Sequence, residues 1–132
     1  MEEGIDTKHK PILLVALGGN ALIRKGQQGS IQEQFENLKR PIRQIARLAS
    51  DHRVVITHGN GPQVGMVLRR VELSRHEVYP IDLGLAVADT QAGMGYMITQ
   101  CLRNEMRARR APIDICTLVT TVLVDPEDLS LI

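Results

Sequence analysis

The sequence predicts an α/β chain of three layers, α-β-α, built about a mainly parallel sheet. Three observations predict it. Aliphatic runs without strict polar alternation occur three times, as strands buried on both faces require. Amphipathic patterns of helical period lie between those runs, and strands alternating with helices are the mark of a parallel sheet. The core must also be aliphatic, because the 132 residues hold no Trp, one Phe and two Tyr.

The first strand is Pro11-Ile-Leu-Leu-Val-Ala-Leu17, which ends in Gly18-Gly19-Asn20. A helix follows, opened by Ser30-Ile-Gln-Glu33, the spacing of a capping box. Its apolar face carries Ile31, Phe35, Leu38, Ile42, Ile45 and Leu48, and Pro41 predicts a kink or a restart. The second strand is Arg53-Val-Val-Ile-Thr57, ending in His58-Gly59-Asn60-Gly61-Pro62. Pro62 suits the first position of a second helix, whose stripe is Val64, Val67, Leu68 and Val71. A third helix is expected from about Asp82 to Arg109, with small residues (Gly84, Ala88, Ala92, Gly95) that admit a close neighbour. Arginines from Arg103 to Arg110 favour the negative end of its dipole. The run Ile115–Val124 is expected to form two strands or one bent strand. No repeat or linker divides the chain.

Length and charge narrow the function. A chain of 132 residues is one domain's worth. Sixteen Lys and Arg against fifteen Asp and Glu leave a net charge of +1, with no basic excess for nucleic acid. No apolar run approaches the ~20 residues of a membrane span, and Met1–Lys10 is charged where a signal peptide is apolar. Two isolated cysteines, Cys101 and Cys116, make neither a disulfide framework nor a zinc site, which points to a reduced, cytoplasmic compartment.

The chemistry is concentrated in the two glycine turns. Gly18, Gly19 and Asn20 follow one strand; Gly59, Asn60 and Gly61 follow the next and open a helix. Ligands of parallel sheets sit at the C-terminal ends of the strands. Glycine lets backbone N–H groups approach a ligand closely, and a helix N-terminus adds free donors and partial positive charge. Two such turns at one sheet end can clamp an anionic group from two sides, with Asn20 and Asn60 adding amide donors. Gly65 is followed by Met66 and Val67, which excludes a P-loop's Lys-Ser/Thr. Gly59-x-Gly61-x-x-x-Gly65 is a poor dinucleotide fingerprint, since Pro62 follows its second glycine and Glu77 and Asp82 stand at no strand end. His58 invites a general-base role but more simply orders the turn at its strand end. His9, His52 and His76 read as surface residues. Asp125 and Asp128 read as turn residues and, less simply, as metal ligands. No other His, Cys or Ser has the spacing of a metal or nucleophile site.

Four stretches carry a family resemblance. Leu14-Val-Ala-Leu-Gly-Gly-Asn-Ala-Leu22 and Thr57-His-Gly-Asn-Gly-Pro-Gln-Val-Gly65 resemble the first two motifs of carbamate kinases, in the amino acid kinase superfamily. Val87-Ala-Asp-Thr-Gln-Ala-Gly-Met-Gly-Tyr96 and Val119-Thr-Thr-Val-Leu-Val-Asp125 resemble its next helix and strand. Thr121, Ala92 and Met94 stand where Gln, Gly and Ile are common in the family. The resemblance implies the N-terminal half of the amino acid kinase fold: residues 1–132 as one partial domain, without the nucleotide-binding half. It implies reversible phosphoryl transfer between ATP and carbamate, giving ADP and carbamoyl phosphate, in arginine or purine-derivative catabolism. ATP, Mg²⁺ and a homodimer enter only through this resemblance. It also places carbamate and the transferred phosphate on Gly18, Gly19, Asn20, Gly59, Asn60 and Gly61. The chain alone is then expected to be inactive and prone to association. The alternative is a non-catalytic module that binds a small phosphorylated or carboxylated metabolite.

Overall fold

A computed structural model describes residues 10–125 and 127. In chain order it shows β1 (Ile12–Leu17), a single 3₁₀ turn (Gly19–Ala21), α1 (Ile31–Leu48), β2 (Arg53–His58), α2 (Gly61–Ser74) and α3 (Leu83–Ala108). The strands pair in parallel, with Ile12 level with Arg53 and Leu17 level with His58. The α/β class and the parallel pairing are those the sequence predicts.

α1 and α3 begin where a side chain satisfies an orphan amide. The Ser30 hydroxyl accepts from the Glu33 N–H at 3.3 Å, and the Glu33 carboxylate accepts from the Ser30 N–H at 2.9 Å. This reciprocal box holds the Glu33 carboxyl below its ordinary pKa of 4.5, chiefly through the bond from the Ser30 backbone. Asp82 caps α3 by accepting from the Leu85 N–H at 2.7 Å. Pro41 does not restart α1; the helix runs through it to Leu48.

The core lies between the helices and one face of the sheet. Leu38, Ile42, Ile45 and Ala46 of α1 meet Met94, Met97, Ile98, Leu102 and Met106 of α3, with Leu17 and Leu22 at one end. Val15, Val54 and Ile56 pack against this cluster from the sheet. Burial of each such side chain contributes ~1.5–3 kcal/mol. The opposite sheet face is bare among the described residues: Ile12 and Leu14 are each 65% exposed and Val55 48%. The continuous apolar runs thus write two buried faces, of which the described residues cover one.

The expectation of strand structure in Ile115–Val124 is not met. The segment forms no strand and lies against α3, held mainly by side chains. Gln91 Oε1 accepts from the Thr120 N–H at 2.8 Å, Thr99 and Thr117 share a hydroxyl bond of 3.0 Å, and Arg103 donates to the Ile115 carbonyl at 3.1 Å. Gly95 admits this contact: a Cβ there would lie 2.1 Å from Thr117 Cγ2. Beyond it Leu118, Val122 and Leu123 are exposed. Among the described residues no helix is long and apolar enough to cross a membrane.

Candidate functional site

Parallel pairing brings the two glycine turns together. With Leu17 level with His58, the chain leaves both strands at the same end of the sheet, and the Gly59 N–H donates to the Leu17 carbonyl at 3.3 Å. Gly18 is extended, and the 3₁₀ turn begins behind it, closed by the Ala21 N–H to the Gly18 carbonyl at 2.9 Å. Fully buried Leu22 anchors this turn, and Asn37 Nδ2 donates to the Leu22 carbonyl at 2.8 Å. Asn20 lies within the turn; its side chain is outside the described set.

The second turn runs straight into α2. Asn60 occupies the N-cap position, yet its side chain does not cap the helix. It turns instead to α3, where Nδ2 donates to Thr90 Oγ1 at 2.9 Å and to the Val87 carbonyl at 3.2 Å. Pro62 has no N–H, so Gly61 and Gln63 are the donors of the first turn of α2, alongside its dipole. No acidic residue stands in the first turn of α2 or in the 3₁₀ turn to oppose an anion.

The glycines themselves are informative. At Gly18, Gly19, Gly59 and Gly61 an added Cβ would meet nothing within 4 Å, and none has a positive φ. Gly29 is the contrast, with φ +77° and Ile23 Cδ1 2.9 Å from an added Cβ. Neither packing nor backbone conformation among the described residues calls for glycine at the four turn positions.

The start of α2 is held from below. Gln63 Nε2 donates to Gln34 Oε1 at 3.0 Å, and Gln34 Nε2 donates to the Gly29 carbonyl at 2.7 Å. Gln63 Oε1 and His58 Nδ1 are buried without a hydrogen-bond partner among the described residues. A half-open cavity of about 400 Å³ between α1, α2 and α3 is lined by Thr90 and Gln63 but by none of the six turn residues.

Six residues were singled out from the sequence, and the structure brings all six to one end of the sheet. Sequence reasoning missed Thr90, Val87, Gln34 and Gln63, the groups that fix the second turn. Thr90 belongs to the third stretch, Val87–Tyr96, so its motif was visible while its partner was not. Asp125 accepts from the Glu127 N–H at 2.9 Å, as a turn residue does; Asp128 lies outside the described residues. Among the described residues no three His, Cys, Asp or Glu side chains gather as a metal site.

Two adjacent glycine turns at the carboxyl end of a parallel strand pair mark an α/β chain whose candidate site lies at the ligand-binding end of its sheet. Residues 11–125 match the amino acid kinase family, and the chain belongs to that family. Carbamate kinase from Thermococcus kodakarensis is 46% identical over 121 residues, which cover 88% of this chain and 38% of the relative. The carbamate kinase-like protein YahI of Escherichia coli is 44% identical, covering 90% and 38%. Carbamate kinase from Giardia lamblia bound to AMP-PNP superposes with a TM-score of 0.85 at 32% identity, covering 92% of this chain and 43% of that one. The chain thus spans about 38% of the length of these curated relatives, and corresponds to the N-terminal portion of the fold.

Proposed function

We propose that this chain is the carbamate-binding part of a carbamate kinase. In the ATP-forming direction, the bond between phosphorus and the carbamate oxygen of carbamoyl phosphate breaks, and a bond from the terminal oxygen of ADP to phosphorus forms. Phosphoryl transfer of this kind is mostly positioning and charge stabilisation. The turn residues Gly18, Gly19, Asn20, Gly59, Asn60 and Gly61 supply it: Gly59, whose N–H is taken by the Leu17 carbonyl, leaves room for the ligand, and the other turn residues offer backbone N–H groups to the carbamate and the transferred phosphate. ATP as donor is supported by the AMP-PNP complex of the Giardia relative. A homodimer in the cytoplasm completes the proposal, and sedimentation of the chain tests its association.

The observation that carries this reading is the pair of turns whose glycines have no local steric reason. Calorimetry with carbamoyl phosphate, against inorganic phosphate as control, tests it. Saturable binding is expected, lost in Gly59→Ala, while stability holds or rises by ~0.4–1 kcal/mol because the backbone there accepts alanine. Absence of carbamoyl phosphate binding by the parent chain, or undiminished binding by Gly59→Ala, overturns it.

A further inference from the structure

Asn is among the best N-cap residues because its side-chain oxygen accepts from an orphan amide one turn on. Asn60 stands at that position with φ −138° and ψ 11°, off the extended backbone of a capping residue, and its side chain makes no cap bond. With Pro62 lacking an N–H, the Gln63 N–H is the amide that a capping Asn60 would reach. Both hydrogens of Asn60 Nδ2 are spent on α3 instead, on Thr90 Oγ1 and the Val87 carbonyl. The carbonyl can only accept, which fixes the nitrogen of the amide towards α3. Thr90 is buried, and its hydroxyl donates back to the Ala86 carbonyl at 2.9 Å, leaving its lone pairs to receive Asn60.

We propose that Thr90 is a positioning residue of the second glycine turn: by holding the Asn60 amide against α3, it keeps the N-terminus of α2 uncapped and open to an anion. This rests on the carbamate-binding reading of the turns for its purpose, though not for its geometry. Loss of the hydroxyl frees Asn60 to swing back to the extended backbone of a capping residue and accept from the Gln63 N–H. The helix then gains a bond, and the anion loses a donor. A merely structural threonine has the opposite signature, since its removal weakens the helix start.

The test is Thr90→Val in the 132-residue chain, read first without ligand by amide exchange at Gln63. Exchange slows about fivefold, the worth of one capping bond. Affinity for carbamoyl phosphate falls about tenfold, the worth of one charge-assisted donor. Thr90→Ser restores both values. Asn60→Asp provides a second route that spares the buried position. Its carboxylate cannot donate to Val87, so it caps Gln63, slows exchange there and repels the ligand. Unchanged Gln63 exchange in both Thr90→Val and Asn60→Asp overturns the proposal, as does failure of Thr90→Ser to restore the parent values. If the parent chain does not bind carbamoyl phosphate, the functional reading falls, and Gln63 exchange alone decides the role of Thr90.

Discussion

Gly95→Ala is the substitution whose outcome the structure constrains most tightly. The new Cβ would lie 2.1 Å from Thr117 Cγ2, 3.0 Å from Thr117 Oγ1 and 3.1 Å from Thr117 Cβ. Carbon atoms settle at about 3.5–4.0 Å, so Thr117 must withdraw by about 1.5 Å. Forcing the overlap costs ~1–3 kcal/mol, whereas alanine inside α3 gains ~1 kcal/mol over glycine. The segment that must move is fastened by exposed hydrogen bonds to Gln91, Thr99 and Arg103, which water replaces at about 0.5 kcal/mol each. Release of the segment is therefore the cheaper response. Global stability by urea titration should stay within ~1 kcal/mol of the parent, while the Thr120 amide loses its protection from exchange. Thr117→Ala removes the two nearest atoms, so the double variant should recover protection, with a coupling of ~1 kcal/mol. The reasoning fails if Gly95→Ala keeps the Thr120 amide protected and gains the full helix propensity, for then Thr117 does not rest on Gly95.

Three further outcomes follow from single contacts. The Glu33 carboxyl is held below its ordinary pKa of 4.5, so its contribution is complete above that value and is lost as pH falls through the lowered pKa of the folded chain; Glu33→Gln should flatten this acid limb in the helical circular dichroism. Burial pushes the Cys101 thiol above its ordinary pKa of 9.0, while Cys116 is exposed; iodoacetamide should alkylate Cys116 first, as peptide mass spectrometry would record, and prior reaction at Cys101 would contradict that placement. Leu22→Ala empties a fully buried position beneath the first turn and should cost ~2–5 kcal/mol, seen as a lowered urea midpoint.

The helices were legible because each is signalled locally. Ser30 with Glu33, Pro62, and Asp82 before a long periodic stretch lie within a turn of the boundaries they set. The two strands were legible from their apolar runs, but their one-sided burial was not, since a run that is apolar on both sides does not reveal which side is covered. Ile115–Val124 misled for a related reason. Its β-branched residues express a fit to a pleated, half-buried surface, and strand formation also needs a neighbouring ladder, which nothing in the run itself supplies. The direction of the Asn60 side chain was hidden as well. Its partner Thr90 is thirty residues further on, and local capping preference points the other way.

The sheet face that the described residues leave uncovered, with Ile12, Leu14 and Val55 exposed, governs how this chain behaves in a tube. Attraction between apolar faces is entropic near room temperature and weakens on cooling, whereas excluded salts such as sulfate strengthen it. Dilution acts in the same sense as cold, because meeting of two faces is second order in protein. The chain should accordingly stay dispersed when cold, dilute and low in salt, and associate on warming with a negative heat-capacity change. Its solution history, and not its sequence alone, then sets how much of the glycine-turn end is presented by separate molecules.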